Sequence, residues 1–492
     1  MKVLARVATG LVLLHWIAPA NGQTEEDILR FSFLQPGGSA RSNAMAGAFG
    51  ALGADPAAAS INPAGLALYS TSEFSLTPSF EVQDAKATHY GTSSSNTDNR
   101  FFFNNLFLQF AARGSTGSKW TNYSFGLSYD RLTSFHWERQ AIGENVNSTI
   151  AQRFVNEANG TPDYLLDSIF PFGAGLAWLA YAFDPLDSAD NTYVSAIPVG
   201  SRVDQAHTIS SSGNVHSTSL FFAASYMDEL FIGGSIGIYG VRHERITTHK
   251  ETSLDQSLAL ETLTYDENLL TTGSGFDLKL GAVVRAGEKA RLGLAFHSPV
   301  WMQLSDGYVT EVRTTFRNDG SQFAEESPDG TFTYRGRTPL RVVASGALIV
   351  GKLGSFSVDY EFADYRHMRL KPSTGLIDAY DFSQENSIIR DHYRIAHHVR
   401  AGTEWRVGSK MYLRAGAGYW PDPYVKNDAR HGLPLIRYTG GLGYRSTRWS
   451  VDLAGLYGSR TGNYFQYDPS LVDATNETLT EYKVFVTVAY RP

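Results

Sequence analysis

The sequence predicts an all-β protein: an antiparallel transmembrane β-barrel of about fourteen strands with its N-terminal segment folded inside the lumen. Three observations lead there. From about residue 71 onward, apolar side chains recur with period two and not 3.6. Tight polar turns alternate with longer, more variable connections, as the two rims of an outer-membrane barrel require. The 492-residue chain holds 46 Gly, 26 Tyr, 29 Phe and 8 Trp, yet no internal apolar run reaches the ~20 residues of a membrane helix.

The alternation is plainest toward the C-terminus. Phe356, Val358, Tyr360 and Phe362 share one face, and Ser355, Ser357, Asp359 and Glu361 the other. Tyr482, Val484, Val486, Val488 and Tyr490 alternate with Lys483, Phe485, Thr487 and Ala489, giving an apolar face with an aromatic at each end. Strands are expected near 71–84, 101–113, 119–137, 207–227, 229–249, 264–286, 289–316, 331–350, 353–371, 390–407, 409–421, 432–446, 448–460 and 478–491. Six tight turns fall around Gly114–Ser118, Asp228, Gly287–Lys289, Lys352, Gly408–Ser409 and Ser446–Thr447. An even count closes the sheet and leaves no edge. A soluble β-propeller would show a repeat of about 40–50 residues, and the sequence has none.

The N-terminus reads as an export signal over residues 1–22. Lys2 and Arg6 precede the apolar stretch Val7–Ala18, and Ala20-Asn21-Gly22 offers small residues for cleavage, placing the mature start near Gln23. Zero cysteines exclude disulfide scaffolds, zinc ribbons and thiol catalysis. A content of 42% hydrophobic against 18% charged residues excludes a disordered chain. A net charge of -7 without a basic stripe argues against a nucleic-acid partner. Export, mild acidity and many aromatics fit the bacterial outer membrane.

Residues 23–70 do not alternate. Gly37–Gly50 and Asp55–Ala67 are small, glycine- and alanine-rich and poor in charge, so they can pack backbone against backbone. The run from Gly38-Ser39-Ala40-Arg41 through Ala44-Met45-Ala46-Gly47-Ala48 to Asn62-Pro63-Ala64-Gly65-Leu66 resembles the hatch of the FadL/TodX family, outer-membrane transporters of long-chain fatty acids and aromatic hydrocarbons. The family's Asn-Pro-Ala element matches Asn62, Pro63 and Ala64. The resemblance implies that residues 23–70 plug a barrel formed by 71–492, with Arg41, Asn62, Pro63, Ala64 and Gly65 as hatch residues. It also implies sideways release at a kinked strand, for which the third strand, with Gly126 at its centre, is the candidate.

The longest connection, about 138–206, is too apolar for a bare loop. Asn147 or Ser148 is placed to cap a helix reaching Ala158, with Ile150, Phe154 and Val155 as its stripe. Leu165, Leu166, Ile169, Phe170, Trp178 and Leu179 then form a candidate landing site for hydrophobic solutes on the rim.

Catalytic signals are poor. Gly233-Gly234-Ser235-Ile236-Gly237 matches a nucleophile elbow but lies within an expected strand. His397 and His398 are adjacent and face opposite sides, which disfavours a shared metal. Glu325-Glu326 and Asp184/Asp187/Asp190 are read as solvated loop acids. Asp359, Glu361, Arg400, Glu404, Arg406 and Arg414 are expected to pair across strands on the lumen side. The sequence thus points to a cofactor-free, monomeric, non-enzymatic channel for hydrophobic small molecules, embedded in outer-membrane lipid. The alternative is a barrel subunit of a secretion or haem-uptake complex.

Overall fold

The computed structural model describes residues 25–187, 191–373 and 380–492. The expected export signal, the start near Gln23 and Asp190 lie outside the described residues. The wall is a closed barrel of 14 antiparallel strands. In chain order these are β1 (Glu73–His89), β2 (Thr92–Arg113), β3 (Trp120–Ser134, continued by Trp137–Val146), β4 (Val203–Tyr226) and β5 (Leu230–Ser253). Then come β6 (Leu260–Ala286), β7 (Ala290–His297 with Trp301–Phe316), β8 (Gly330–Arg337 with Arg341–Val350) and β9 (Gly354–Asp364 with Arg369–Pro372). The ring is completed by β10 (Ile395–Val407), β11 (Met411–Trp420), β12 (Leu435–Arg445), β13 (Trp449–Tyr464) and β14 (Thr475–Tyr490). β1 pairs with β2 on one side and with β14 on the other, which shuts the sheet.

Period two becomes two faces. On β13, Trp449, Val451, Leu453 and Tyr457 are exposed to the outside, while Ser450, Asp452 and Ala454 are buried within. Trp449 meets Tyr490 at 4.8 Å and Tyr457 meets Tyr482 at 5.4 Å, so an aromatic pair marks each edge of the apolar band.

Among the described residues, seven α-helices interrupt this plan: α1 (Glu25–Ser32), α2 (Ala40–Asn43), α3 (Ala58–Ile61), α4 (Ile150–Ala158), α5 (Leu166–Ile169), α6 (Ala174–Leu179) and α7 (Ser383–His392). All six expected tight turns are present. The structure differs from the sequence reading at several elements. β1 and β2 run on past residue 84 to a turn at Tyr90 (φ 44°) and Gly91 (φ 85°), as a two-residue hairpin demands. The upper half of β2, Thr92–Asn99, is polar on both faces, and that of β1 carries only Ala85 and Ala87 as apolar residues, both on its buried face, so neither shows an apolar outer side. β3 likewise continues to Val146, so the long connection starts near 147 and not 138. The cap of α4 is Thr149, whose hydroxyl accepts from the Ala151 N–H at 3.1 Å, and not Asn147 or Ser148. Glu325 and Glu326 belong to a short strand, Gln322–Glu326, paired with β7, and Asp184 and Asp187 to another, Phe183–Asp187, paired with Thr192–Ser195, so neither set lies in a loop. α7 occupies the start of the stretch read as strand 390–407, and β10 begins only at Ile395.

Leu453 sits midway between the two aromatic edges. Leu453→Arg is expected to destabilise the barrel by about 2–4 kcal/mol, measured by urea-driven unfolding from lipid vesicles. An equal loss for Ser93→Arg, beside the hairpin turn, would show that position in the lipid band is not what matters.

Candidate functional site

Residues 25–70 touch the inner face of the wall on nearly every side. The Ala40 N–H donates to Thr487 of β14 at 2.7 Å, and the Ala46 N–H to Thr439 of β12 at 3.1 Å. His297 of β7 bonds the Ile61 carbonyl at 2.8 Å, and Asn122 of β3 donates to the carbonyls of Ala67 and Tyr69. A segment reaching strands all round the ring lies inside it. Backbone groups that have no sheet partner are therefore satisfied by side chains of the wall.

The predicted residues divide between two sides of the lumen. Arg41 is held by Glu404 of β10 through Nε at 2.8 Å and Nη2 at 2.9 Å, and its Nη1 reaches the Ala54 carbonyl at 3.0 Å. Asn62 lies toward β6: its Nδ2 donates to Gly50 O at 2.8 Å and Ala282 O at 3.2 Å, and its Oδ1 accepts from Ala64 N at 3.2 Å. Pro63 opens the following 3₁₀ turn, Pro63–Leu68, where a missing N–H costs nothing. The Gly65 carbonyl accepts from Ala54 N at 3.0 Å, closing the segment on itself. Wall glycines make this approach possible. A Cβ at Gly281 would stand 1.9 Å from Asn62 Oδ1, and one at Gly233 would stand 2.5 Å from Pro63 O. Gly233, the first residue of the nucleophile-like motif, thus gives clearance to the N-terminal segment, and Ser235 donates to the Ala59 carbonyl at 3.3 Å.

Sequence reasoning named Asp359 only as a lumen charge. Its carboxylate accepts from the N–H groups of Phe49 at 3.1 Å and Gly50 at 3.0 Å, an anion seated on two backbone donors. Arg400 lies 3.1 Å from Glu361 and 3.6 Å from Asp359. Arg414 joins Glu404 to Asp452, each at 2.6 Å. Arg406 is the exception: it is exposed and donates to Ser409 O at a tight turn, away from the lumen. His397 faces outward against Tyr360, and His398 inward toward Glu361. Among the described residues, no group of three His, Cys, Asp or Glu is placed to hold a metal.

The wall is interrupted beside this segment. β2 and β3 pair from Arg113↔Asn122 up to Asn105↔Asp130, and among the described residues no ladder joins them above that point. β3 bulges at Leu132 and breaks at Phe135–His136, while Gly126 lies within the regular part of the ladder. A Cβ at Gly126 would stand 2.0 Å from Leu108 O, so that glycine serves close strand packing. Where β2 departs, the N-terminal segment takes its place: Gln35 N donates to Leu132 O at 3.1 Å, and Thr133 donates to Phe33 O at 3.2 Å. On β2, Phe101 and Phe103 face outward, and Phe102 faces inward under the Arg131 guanidinium at 3.4 Å. Two internal spaces flank the break and share Gln35, Pro36 and Leu132 as lining. The first is lined by Asp130, Asp277, Lys279, Glu361 and Arg400, so it is charged. The apolar lining lies nearer the long-loop rim, among Val241, Met302, Leu304, Tyr334, Leu370 and Phe382.

The long connection caps that rim. α4 buries Ile150, Phe154, Val155 and Ala158, and its first N–H, at Ile150, donates to the buried Glu251 carboxylate of β5 at 2.8 Å. Of the six rim residues, Leu166 is fully buried, and Phe170 and Trp178 pack on the same cluster. Leu165 is half-buried, while Ile169 and Leu179 are exposed beside exposed Tyr164 and Tyr181.

No protein-family model matches the chain, and no curated protein does. Solved structures do. A Pseudomonas aeruginosa FadL homologue aligns over 94% of this chain and 99% of its own, at 14% identity and a TM-score of 0.54. The Pseudomonas putida toluene transporter TodX covers 93% and 99%, at 12% identity and 0.53. The Ralstonia pickettii toluene transporter TbuX covers 94% and 99%, at 14% and 0.50. The chain has the FadL/TodX fold. At these identities the likeness is one of architecture, over most of the chain.

Asn62→Leu removes three polar contacts and is expected to cost about 1–3 kcal/mol. Hydrogen exchange should show faster exchange at Ala64, whose N–H loses its acceptor, with strand protection retained; unchanged protection there would assign Asn62 no anchoring role.

Proposed function

We propose that this protein is a bacterial outer-membrane channel for passive uptake of hydrophobic small molecules, with residues 23–70 as its hatch. The observation that carries the reading is the break in the β2–β3 ladder, placed beside hatch residues Phe33–Gln35 and flanked by internal space. A hydrophobic solute gains from leaving water for an apolar surface at about 25 cal/mol per Å² buried. Exposed Ile169, Leu179, Tyr164 and Tyr181 offer that surface at the rim. The apolar lining within the upper lumen receives the solute next, and a shift of the hatch frees it toward the opening above Asn105↔Asp130. The break supports Leu132–His136 of β3 as the lateral gate in place of Gly126, which lies within the paired part of the same strand. Concentration is the only driving force invoked. Long-chain fatty acids and small aromatic hydrocarbons are the substrate classes that suit such a path.

Two experiments test the reading. Deleting residues 23–70 should turn a nearly closed barrel into a conducting pore in planar bilayers; unaltered conductance would remove the hatch. Ile169→Ser with Leu179→Ser alters two exposed side chains and leaves the packed cluster intact. Uptake of labelled fatty acid at low concentration should fall roughly tenfold and recover at high concentration. Normal uptake at every concentration would place entry elsewhere.

A further inference from the structure

The apolar lining of the upper lumen is already occupied. Ile28 and Phe31 of α1 are fully buried in one cluster with Val241, Met302, Leu304, Tyr334 and Phe382. The wall is shaped for them: a Cβ on Gly336 of β8 would stand 2.7 Å from Ile28 Cδ1. An isolated helix of eight residues is not stable in water, so α1 persists through what holds it. At its C-terminal end, Arg341 donates to Ser32 O at 2.6 Å and Leu34 O at 3.2 Å. At its N-terminal end a single guanidinium gathers the contacts. Arg430, in the connection between β11 and β12, reaches Glu25 at 2.7 Å and Glu26 at 3.0 Å. Asp428, which itself receives His392 of α7 at 2.7 Å, holds that guanidinium from the other side at 3.0 Å. The Tyr393 hydroxyl adds a bond to Glu25 O at 3.3 Å, and the Tyr424 ring lies 4.7 Å from the guanidinium.

We propose that α1 is a displaceable internal occupant of the apolar chamber, latched by Arg430, so that docking of α1 and binding of a hydrophobic solute are mutually exclusive. This rests on the uptake reading above and goes beyond it, because it makes the protein autoinhibited by its own helix. Ile28 and Phe31 cover the surfaces that an alkyl chain or aromatic ring would cover. The solute's affinity is therefore reduced by the population of the docked helix. Leu34 and Gln35, which follow α1, border the charged space below, so withdrawal of the helix also opens the chamber toward the β2–β3 break.

The absence of native cysteines makes the test direct. In the full-length protein carrying Ile28→Cys alone, adding Arg430→Ala should raise the rate of maleimide labelling about tenfold or more, since labelling follows local opening. Equal rates overturn the latch. In the Ile28→Cys/Gly336→Cys protein, the disulfide pins α1 in the chamber. Bound dodecanoic acid, counted in nanodiscs against empty discs, should fall at least about tenfold on oxidation and return on reduction. Equal binding in the oxidised form overturns displacement and leaves the uptake reading standing. Absence of binding by the unsubstituted protein overturns the uptake reading, while the labelling comparison still decides the latch. Heat-modifiable migration on a gel confirms that each variant keeps its barrel.

Discussion

The pairing of β1 with both β2 and β14 is what the rest of the molecule depends on. Within hydrocarbon, an unpaired backbone N–H or C=O costs several kcal/mol, so a sheet can cross only if it has no edge. Seventeen residues of β1 meet β2, and the same strand meets the C-terminal strand from Phe74↔Tyr490 to Thr88↔Asn476. Closure sends every second side chain inward. That is why a segment as weakly structured as residues 25–70 finds donors and acceptors on all sides.

The interior then follows from the mismatch between a ring of fixed size and the chain that fills it. Ala44, Gly50 and the backbone of Met45 press against wall glycines, and carboxylates such as Asp359 and Glu404 take up the donors that remain. Buried charges are tolerable in this setting because each is paired or bonded to backbone. The same logic explains Glu251, a wall carboxylate that seats the first turn of α4 and fixes the rim connection to the barrel.

Regular pairing breaks locally along several strands. Pro299 and Pro339 interrupt β7 and β8, and Val300 and Thr338 bridge the two interruptions with mutual bonds at 2.8 and 3.1 Å. At the break in β3, Gly213 of β4 accepts from the Phe135 N–H at 3.0 Å and donates to His136 Nε2 at 3.3 Å, and the Leu132 carbonyl is satisfied from within by Gln35. A wall bond supplied by the N-terminal segment ties the state of that segment to the state of the wall. Helix α1 extends the same dependence across the lumen, to Arg430 in the connection between β11 and β12.

Sequence alone determined the strand count, the six tight turns and the two faces of each strand, because period-two alternation is a one-dimensional consequence of facing lipid on one side. It also marked Asn62 and Arg41 as special, through small-residue packing and a family resemblance. It failed where no face meets lipid: the upper halves of β1 and β2, the extension of β3 and the helix α7 carry no such signal. Only the tertiary structure decided that Arg41 binds Glu404, 363 residues away, that Asp359 seats Gly50, and that Ile28 fills the space left by Gly336. Those contacts join residues remote in sequence across a lumen whose dimensions exist only once the ring has closed.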